Sequence, residues 1–364
     1  MMRVRVRYWG LSNTPLIAAA LSVMLDACGG AAADRAAKNG ATSITVIDSV
    51  EVVETDSVFV ARPNSITVDA SGRVYVSDGS AKRVLRVERD GSGLTPITRV
   101  GGGPGEVQRP TSLAMIGDSV LAVHDGGKRR VSLFKRASMT PRGSIDAGWP
   151  ITSIRGWHSG LVVGALLADS GTAFALLADT AAAPRRGGSV PRIYTEHPPI
   201  AQAFGSVEVA RDDSTVVGVF EVANTAYRWH LQSKQIDSVL LGVGSRRGAR
   251  PEVMLELLRD PSKAPTLAFT WSFPMLMAMI SGDRSAIVSY DPTMANGTFT
   301  GPAHVQVVDW RTRRSCRELQ LPVSAEIPAR YAMRGDTLTA LVQHADRDAT
   351  STWIVRWVVG AARC

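Results

Sequence analysis

Six histidines offer the widest range of chemistry in this chain, because imidazole serves both as a zinc ligand and as a general acid or base. They are His124, His158, His197, His230, His304 and His344. No two of them form a His-x-x-x-His pair, and no Cys-x-x-Cys motif accompanies them. Zinc-dependent lyase chemistry therefore has no compact motif in this chain, and it would require histidines brought together from distant segments.

Oxygen ligands would be needed for a calcium-dependent hydrolase. Between residues 44 and 364 asparagine occurs only at Asn64, Asn224 and Asn296, none of them in a recognisable metal-binding motif. The chain has no Gly-x-Ser-x-Gly nucleophile motif, and Gly101–Gly105 lacks the Lys-Ser/Thr and the helix of a phosphate-binding loop. We therefore predict no cofactor, and we favour a binding protein. A metal-dependent hydrolase or lyase, lactonase-like and holding a divalent metal, is the alternative.

Two tandem copies of one pattern indicate the scaffold that would position these residues. The first copy runs from Ser65 to Val87 and the second from Ser112 to Phe134, with the glycine-rich segment Gly101–Pro110 between them. Each copy consists of short alternating strands separated by Gly/Asp turns. A repeat of this length predicts a blade that cannot fold alone and must stack with other blades.

The same turn followed by a strand recurs along the chain and predicts six blades. It returns at Gly282-Asp283 and Gly335-Asp336, and in weaker form at Ser159-Gly160 and Asp212-Asp213. The blades are expected to start near residues 65, 111, 151, 203, 273 and 325. The predicted fold is all-β: a six-bladed β-propeller of four-stranded antiparallel blades. The strand Ile44–Val53 has no blade of its own, so we expect it to pair with the blade spanning Tyr331–Val359 and to close the ring.

One helical insertion interrupts the blades near residues 245–271. Within it Pro251–Asp260 has proline at its start and Pro261 after its end, as a short helix does. The segments Ala181–Gly188 and Thr195–Pro199 are predicted to be loops.

The repeat resembles the NHL-type repeat of six-bladed β-propellers, in the wider TolB-like group. The matching residues are Asp69, Gly72, Val74, Tyr75, Val76, Asp78, Arg83 and Val84 in the first copy, and Gly101, Gly103, Pro104, Gly105, Pro110, Val120, Val123, Asp125, Arg130 and Val131 in the second. The whole chain resembles exported propeller lipoproteins of bacteria. We assign these residues to blade structure and expect Asp78 to pair with Arg83, and Asp125 with Arg130.

The N-terminus is predicted to be a targeting segment. Residues 1–27 combine an arginine-containing start with a short apolar stretch, as in a lipoprotein-type signal peptide. Cys28 stands where a lipid anchor would be attached, and residues 28–43 would form a flexible tether before the domain at 44–364. Ordinary secretory cleavage near Ala31–Ala33 is the alternative. Either route predicts export to the bacterial cell envelope, and the sequence leaves inner and outer membrane open.

Charge and cysteine content further narrow the range of functions that this chain could have. The formal net charge is +8, but the arginines are dispersed and not concentrated in one run. This distribution argues against nucleic-acid binding. Cys316 and Cys364 form an even pair in an exported protein, which indicates a disulfide worth up to about 4 kcal/mol, with two free thiols as the alternative.

The predicted function is therefore that of a lipid-anchored, monomeric scaffold that binds an envelope protein, a peptide or a glycan through loops at the channel mouth. The expected binding face carries Gly101–Pro110 and Asp125–Arg130. The candidate binding residues there are Glu106, Arg109, His124, Lys128 and Arg129. Trp149 and Trp157 near blade junctions, and Trp353 and Trp357 in the alternation of the last strands, are assigned to packing, with ligand contact as the alternative.

Overall fold

The structure is a computed structural model that describes residues 42–364 except 147–148, 168–170, 179–182, 242–247, 264–266, 268–269, 296–297, 324–326, 346–349 and 362–363. The predicted signal peptide, Cys28 and nearly all of the tether lie outside the described residues. The first described strand is β1 (Thr42–Glu51).

Six antiparallel sheets, here called blades 1 to 6, follow one another along the chain. Blade 1 contains β2 (Pro63–Val68), β3 (Val74–Asp78), β4 (Arg83–Val87) and β5 (Leu94–Pro96). The short parallel strands β6 (Arg99–Val100) and β7 (Glu106–Val107) flank the glycine-rich loop. Blade 2 contains β8 (Pro110–Ile116), β9 (Val120–Asp125), β10 (Arg130–Lys135) and β11 (Thr140–Asp146).

Blades 3 and 4 are separated by two short helices. Blade 3 contains β12 (Ser153–Trp157), β13 (Gly160–Leu167), β14 (Thr172–Ala178) and β15 (Arg185–Gly187). The helices α1 (Arg192–Glu196) and α2 (Pro198–Phe204) follow. Blade 4 contains β16 (Val207–Arg211), β17 (Thr215–Phe220), β18 (Thr225–His230) and β19 (Ile236–Leu240). Helix α3 (Pro251–Arg259) and a 3₁₀ turn (Pro261–Lys263) lie between blades 4 and 5.

Blade 5 is the most elaborate. It contains β20 (Phe273–Ser281), β21 (Arg284–Tyr290), β24 (Ala303–Asp309) and a divided outer strand, β25 (Arg314–Ser315) and β26 (Leu319–Gln320). The hairpin of β22 (Thr293–Ala295) and β23 (Thr298–Thr300) is inserted between β21 and β24. Blade 6 contains β27 (Ile327–Arg334), β28 (Thr337–Ala345), β29 (Thr350–Ala361) and, as its outer strand, β1.

The six-bladed propeller predicted from the repeats is confirmed, including its closure by the N-terminal strand. Thr42 lies opposite Ala361 and Glu51 opposite Trp353 in the antiparallel pair of β1 and β29. Blade 6 therefore has four strands: β27, β28 and β29 from the end of the chain, and β1 from before blade 1. In a closed ring every blade packs against a neighbour on both sides, so no blade face is exposed to solvent.

The first strand of each blade lines a central channel. Successive inner strands contact each other around the ring, from β2 through β8, β12, β16, β20 and β27 back to β2. Serines at the start of both repeat copies link neighbouring inner strands. Ser65 Oγ accepts a hydrogen bond from the Leu113 N–H, and Ser112 Oγ accepts one from the Ile154 N–H. Apolar side chains from facing blades fill the space behind these strands.

The channel has two ends, which we call mouth A and mouth B. At mouth A each inner strand turns into the second strand of its blade, as at residues 117–119 in blade 2. At mouth B each inner strand begins and the second strand turns into the third, as at residues 126–129.

The predicted disulfide is also confirmed. Cys316 and Cys364 are bonded, with their Cα atoms 4.6 Å apart. Cys316 follows β25 in blade 5, and Cys364 follows the last strand of blade 6. The bond therefore ties the end of the described chain to the neighbouring blade.

Two loop predictions are wrong. Thr195–Pro199 spans the end of α1 and the start of α2, with His197 between the two helices. Pro191 precedes the first helix and Pro198 occupies the first turn of the second, where proline favours helix initiation. Arg185–Gly187, within the predicted loop Ala181–Gly188, is the outer strand of blade 3. The helix expected at Pro251–Asp260 is present as α3.

Candidate functional site

Two buried aspartates organise the loops at mouth B. Asp78 accepts hydrogen bonds from the main-chain N–H groups of Ala61, Arg62, Ser80 and Ala81. In blade 2, Asp125 accepts from the N–H groups of Gln108, Arg109 and Gly127. Both carboxylates are fully buried. Each one therefore fixes the loop that enters its blade and the turn that leaves its second strand.

The predicted pairs of Asp78 with Arg83 and of Asp125 with Arg130 are wrong as ion pairs. The residues do face each other across their strand pairs. Among the described residues, however, neither arginine forms an ion pair with its aspartate, and Arg83 donates instead to the Phe59 carbonyl. The reason is that main-chain N–H groups already occupy the carboxylate oxygens.

Two of the five predicted binding residues hold the glycine-rich loop. Glu106 Oε2 accepts from the Gly103 N–H at 2.7 Å. Lys128 Nζ donates to the Glu106 carbonyl at 3.0 Å and lies 3.9 Å from Asp125 Oδ2. The fold requires a sharp turn here, and Gly105 supplies it with a φ of 77°.

His124, the third candidate, is buried at 7% exposure. Its Nδ1 lies 2.8 Å from Thr111 Oγ1. Burial lowers the pKa of His124 to about 4, and the nearby Asp125 opposes this shift only in part. The imidazole is therefore neutral at physiological pH.

The remaining candidates, Arg109 and Arg129, are exposed cations, and the structure adds two equivalents in blade 1. Arg62 and Arg109 each precede the proline that begins an inner strand. Lys82 and Arg129 each occupy the turn after the second strand, with φ of 51° and 52°. All four side chains are exposed. Within the described part of the chain none of the four takes part in an ion pair. The repeat alignment was the signal that would have identified Arg62 and Lys82.

A cavity of about 600 Å³ lies in the channel toward mouth A. The inner strands of all six blades contribute to its wall. Its charged and aromatic lining residues include Asp118, Arg155, Trp157, His158, Arg211, Asp212, Asp213 and Arg334. None of the five predicted binding residues lines it, because they lie at or next to mouth B. The Gly/Asp turns that marked the blades, such as Asp212-Asp213, contribute to its lining, but no sequence pattern indicated a cavity, since its residues come from separate blades.

Two arginines of the cavity wall are held in defined positions. Arg155 Nη2 donates to Glu208 Oε2 at 2.6 Å, between the inner strands of blades 3 and 4. Burial raises the pKa of Glu208 to about 7, although Arg155 acts in the opposite direction. The guanidinium of Arg211 lies 3.8 Å from the centre of the Trp157 ring.

The four tryptophans divide between packing and the cavity. Trp357 is fully buried, and Trp353 packs against the same core. Trp149 is covered by Arg186, whose guanidinium carbon lies 4.7 Å from the centre of the ring. Trp157 is partly buried and lines the cavity.

The histidines are not brought together. His158 lines the cavity at mouth A, whereas His230 bonds Asp237 at 2.9 Å in an outer strand of blade 4. Among the described residues there is no group of three or more His, Cys, Asp or Glu side chains that could hold a metal ion. Asn64 donates to the Pro110 carbonyl, and Asn296 lies outside the described residues.

Solved structures similar to this chain share its fold. A member of the DUF4221 family from Bacteroides vulgatus superposes with a TM-score of 0.63 at 8% identity, covering 89% of this chain and 100% of the other. A Bacteroides fragilis protein assigned as exported gives a TM-score of 0.56 at 10% identity, covering 86% of this chain and 95% of the other. No protein-family model and no curated protein matches the sequence. In the part of the chain that the structure describes, no helix is long and apolar enough to cross a membrane.

Proposed function

We propose that this propeller is an exported scaffold, lipid-anchored through Cys28, that binds an anionic peptide or glycan of the cell envelope through the loops at mouth B. Export is supported by the N-terminal sequence and by the similar fold of the exported Bacteroides fragilis protein. The cationic arc, defined as Arg62, Lys82, Arg109 and Arg129, would make the contact.

The observation that carries the proposal is the backbone of Lys82 and Arg129. A non-glycine residue in the left-handed region costs about 1–3 kcal/mol, which glycine would avoid. Two adjacent blades nevertheless place a long cation at the same strained position of the same mouth. The buried carboxylates nearby are bonded to main-chain N–H groups and not to these four side chains, of which Arg109 donates one long hydrogen bond of 3.4 Å to the Gly126 carbonyl.

Glycine substitution provides a sharp test, because it removes the charge and the backbone strain together. We expect the double variant Lys82→Gly, Arg129→Gly to be at least as stable as the parent, because relief of backbone strain at two positions offsets the greater freedom of glycine in the unfolded chain. Its affinity for immobilised poly-L-glutamate or polygalacturonate should fall at least tenfold. Parent binding should also weaken as ionic strength rises, because the contacts are between exposed charges.

Lys234→Gly is the matched control. Lys234 also has a positive φ, of 60°, but it lies in the turn between β18 and β19, on the side of mouth A. It should change stability in the same direction and leave binding unaltered. Neutral dextran should not bind. Equal binding by parent and double variant would refute the cationic arc, and comparison of the two polymers would show whether a peptide or a glycan is preferred.

A further inference from the structure

Arg211 is the charged group of the cavity whose position is most closely fixed without a counter-ion. Its guanidinium lies 3.8 Å from the centre of the Trp157 ring, and its Nε donates to the Asp212 carbonyl at 2.9 Å. Among the described residues it forms no ion pair. The terminal nitrogens of its guanidinium are therefore held in place while their charge is not neutralised by direct contact.

The nearby carboxylates are mostly engaged elsewhere. Asp212 Oδ1 accepts from the N–H groups of Ser214 and Thr215, which fixes it to its own turn. Asp118 accepts from the Ala70 N–H and lies 3.4 Å from Arg334.

Further charged residues contribute to the electrostatic potential at Arg211. Asp213 is exposed and, together with Asp212, offsets part of the positive charge. Burial, together with repulsion from Arg185, lowers the pKa of Arg211.

We propose that Arg211 anchors a second binding site, in which the cavity at mouth A takes a small ligand carrying a carboxylate. A guanidinium presents a planar set of donors that matches a carboxylate, and stacking on an indole fixes its plane before the ligand arrives. The cavity volume of about 600 Å³ lies within the range of small-molecule sites. This site is at the opposite end of the channel from the cationic arc and does not depend on it.

Three ligands of nearly equal size separate charge recognition from simple filling of the cavity. Benzoate, benzamide and benzylamine would be titrated into ¹⁵N-labelled protein while the indole N–H signal of Trp157 is followed, with Trp157→Phe identifying that signal among those of the other tryptophans. We expect a saturable shift with benzoate, at least tenfold weaker binding of benzamide, and no binding of benzylamine.

Variants of single arginines then show which guanidinium recognises the carboxylate of benzoate. Arg211→Gln should weaken benzoate binding at least tenfold. Arg186→Gln is the control, because the guanidinium of Arg186 also covers a tryptophan but does not line the cavity. This substitution should change the affinity for benzoate less than twofold. Arg211→Lys retains the charge without the planar donor set and should give an intermediate loss.

Equal binding of benzoate and benzamide by the parent would overturn the proposal without any variant being needed. Undiminished benzoate binding by a folded Arg211→Gln protein would overturn it as well. The double variant Lys82→Gly, Arg129→Gly should bind benzoate normally. A failure of this site and a failure of the proposed function at mouth B would thus be distinguishable.

Discussion

Arg356 donates a hydrogen bond of 2.8 Å from Nη1 to Oδ1 of Asp48, its direct neighbour across the strand pair that closes the ring. Its Nη2 donates to the carbonyls of Gly72 and Arg89 in blade 1. The side chain is only 5% exposed. One guanidinium therefore joins β1, the first strand of the described residues, to β29 and to blade 1.

Removing this guanidinium should destabilise the propeller strongly. We expect Arg356→Met to lower the free energy of unfolding by about 2–4 kcal/mol, because it removes the ion pair to Asp48 and the donor for two partly buried carbonyls. Arg192→Met is the control: that arginine is 89% exposed and pairs with Glu196 within α1, so its loss should cost less than about 0.5 kcal/mol. Urea denaturation measures both, and similar costs for the two variants would contradict the role given to Arg356.

Reduction of the disulfide should lower stability without altering the blade architecture. The bond joins residues 48 positions apart, for which the chain-entropy model gives up to about 4 kcal/mol. We expect Cys316→Ser, Cys364→Ser to melt at a lower temperature than the oxidised parent while keeping the same far-ultraviolet circular dichroism. Dithiothreitol should lower the parent to the same melting temperature and leave the variant unchanged. A shift in the variant on reduction would show that the effect has another source.

The buried imidazole of His124 should make the fold sensitive to acid. In the unfolded chain its pKa is near 6.5, whereas burial lowers the pKa of His124 to about 4 in the fold. Below pH 6.5 the unfolded state therefore binds a proton that the folded state excludes. Stability should fall as the pH decreases from 6.5 to about 4, by about 3 kcal/mol in total.

Comparison of two asparagine variants isolates this effect. His124→Asn retains an acceptor for Thr111 Oγ1 and should flatten the stability profile between pH 6.5 and 4. His158→Asn removes an exposed histidine and should leave the profile as in the parent. Parallel profiles for the parent and His124→Asn would mean that His124 titrates normally in the fold.

Chelation tests the metal-dependent alternative. Because no set of three ligand side chains is assembled within the described ranges, we expect EDTA to leave the melting temperature within about one degree. Elemental analysis of the purified protein provides the independent measurement. About one divalent metal per chain, lost together with a clear drop in melting temperature, would favour a hydrolase or lyase.

The fold was largely predictable because the repeat is a local signal. The turn at Gly117-Asp118 and its counterpart at Gly335-Asp336 mark the step from inner to second strand in two blades, and alternation of apolar residues then specifies the strands. Where local signals compete, prediction failed. Pro198 begins a helix rather than a loop, and the hairpin inserted in blade 5 has no counterpart in the repeat.

The sites were less predictable, because they depend on which residues converge in space. At mouth B the tandem alignment singled out the loops predicted to bind, but it could not show that Glu106 and Lys128 are engaged within them. At mouth A the contact between Trp157 and Arg211 joins neighbouring blades. Neither residue stands in a motif, so only the closed ring brings them together.

Closure by β1 also sets the order in which the molecule can be completed. Thr42 leaves the ribosome long before Ala361, yet these residues form one end of the same strand pair. Any blades that form before β1 and β29 pair make an open arc, and such unpaired edges favour aggregation. The ring becomes continuous only after β29 is available. The step that joins the two ends has the greatest sequence separation in the fold, so it is expected to be slow.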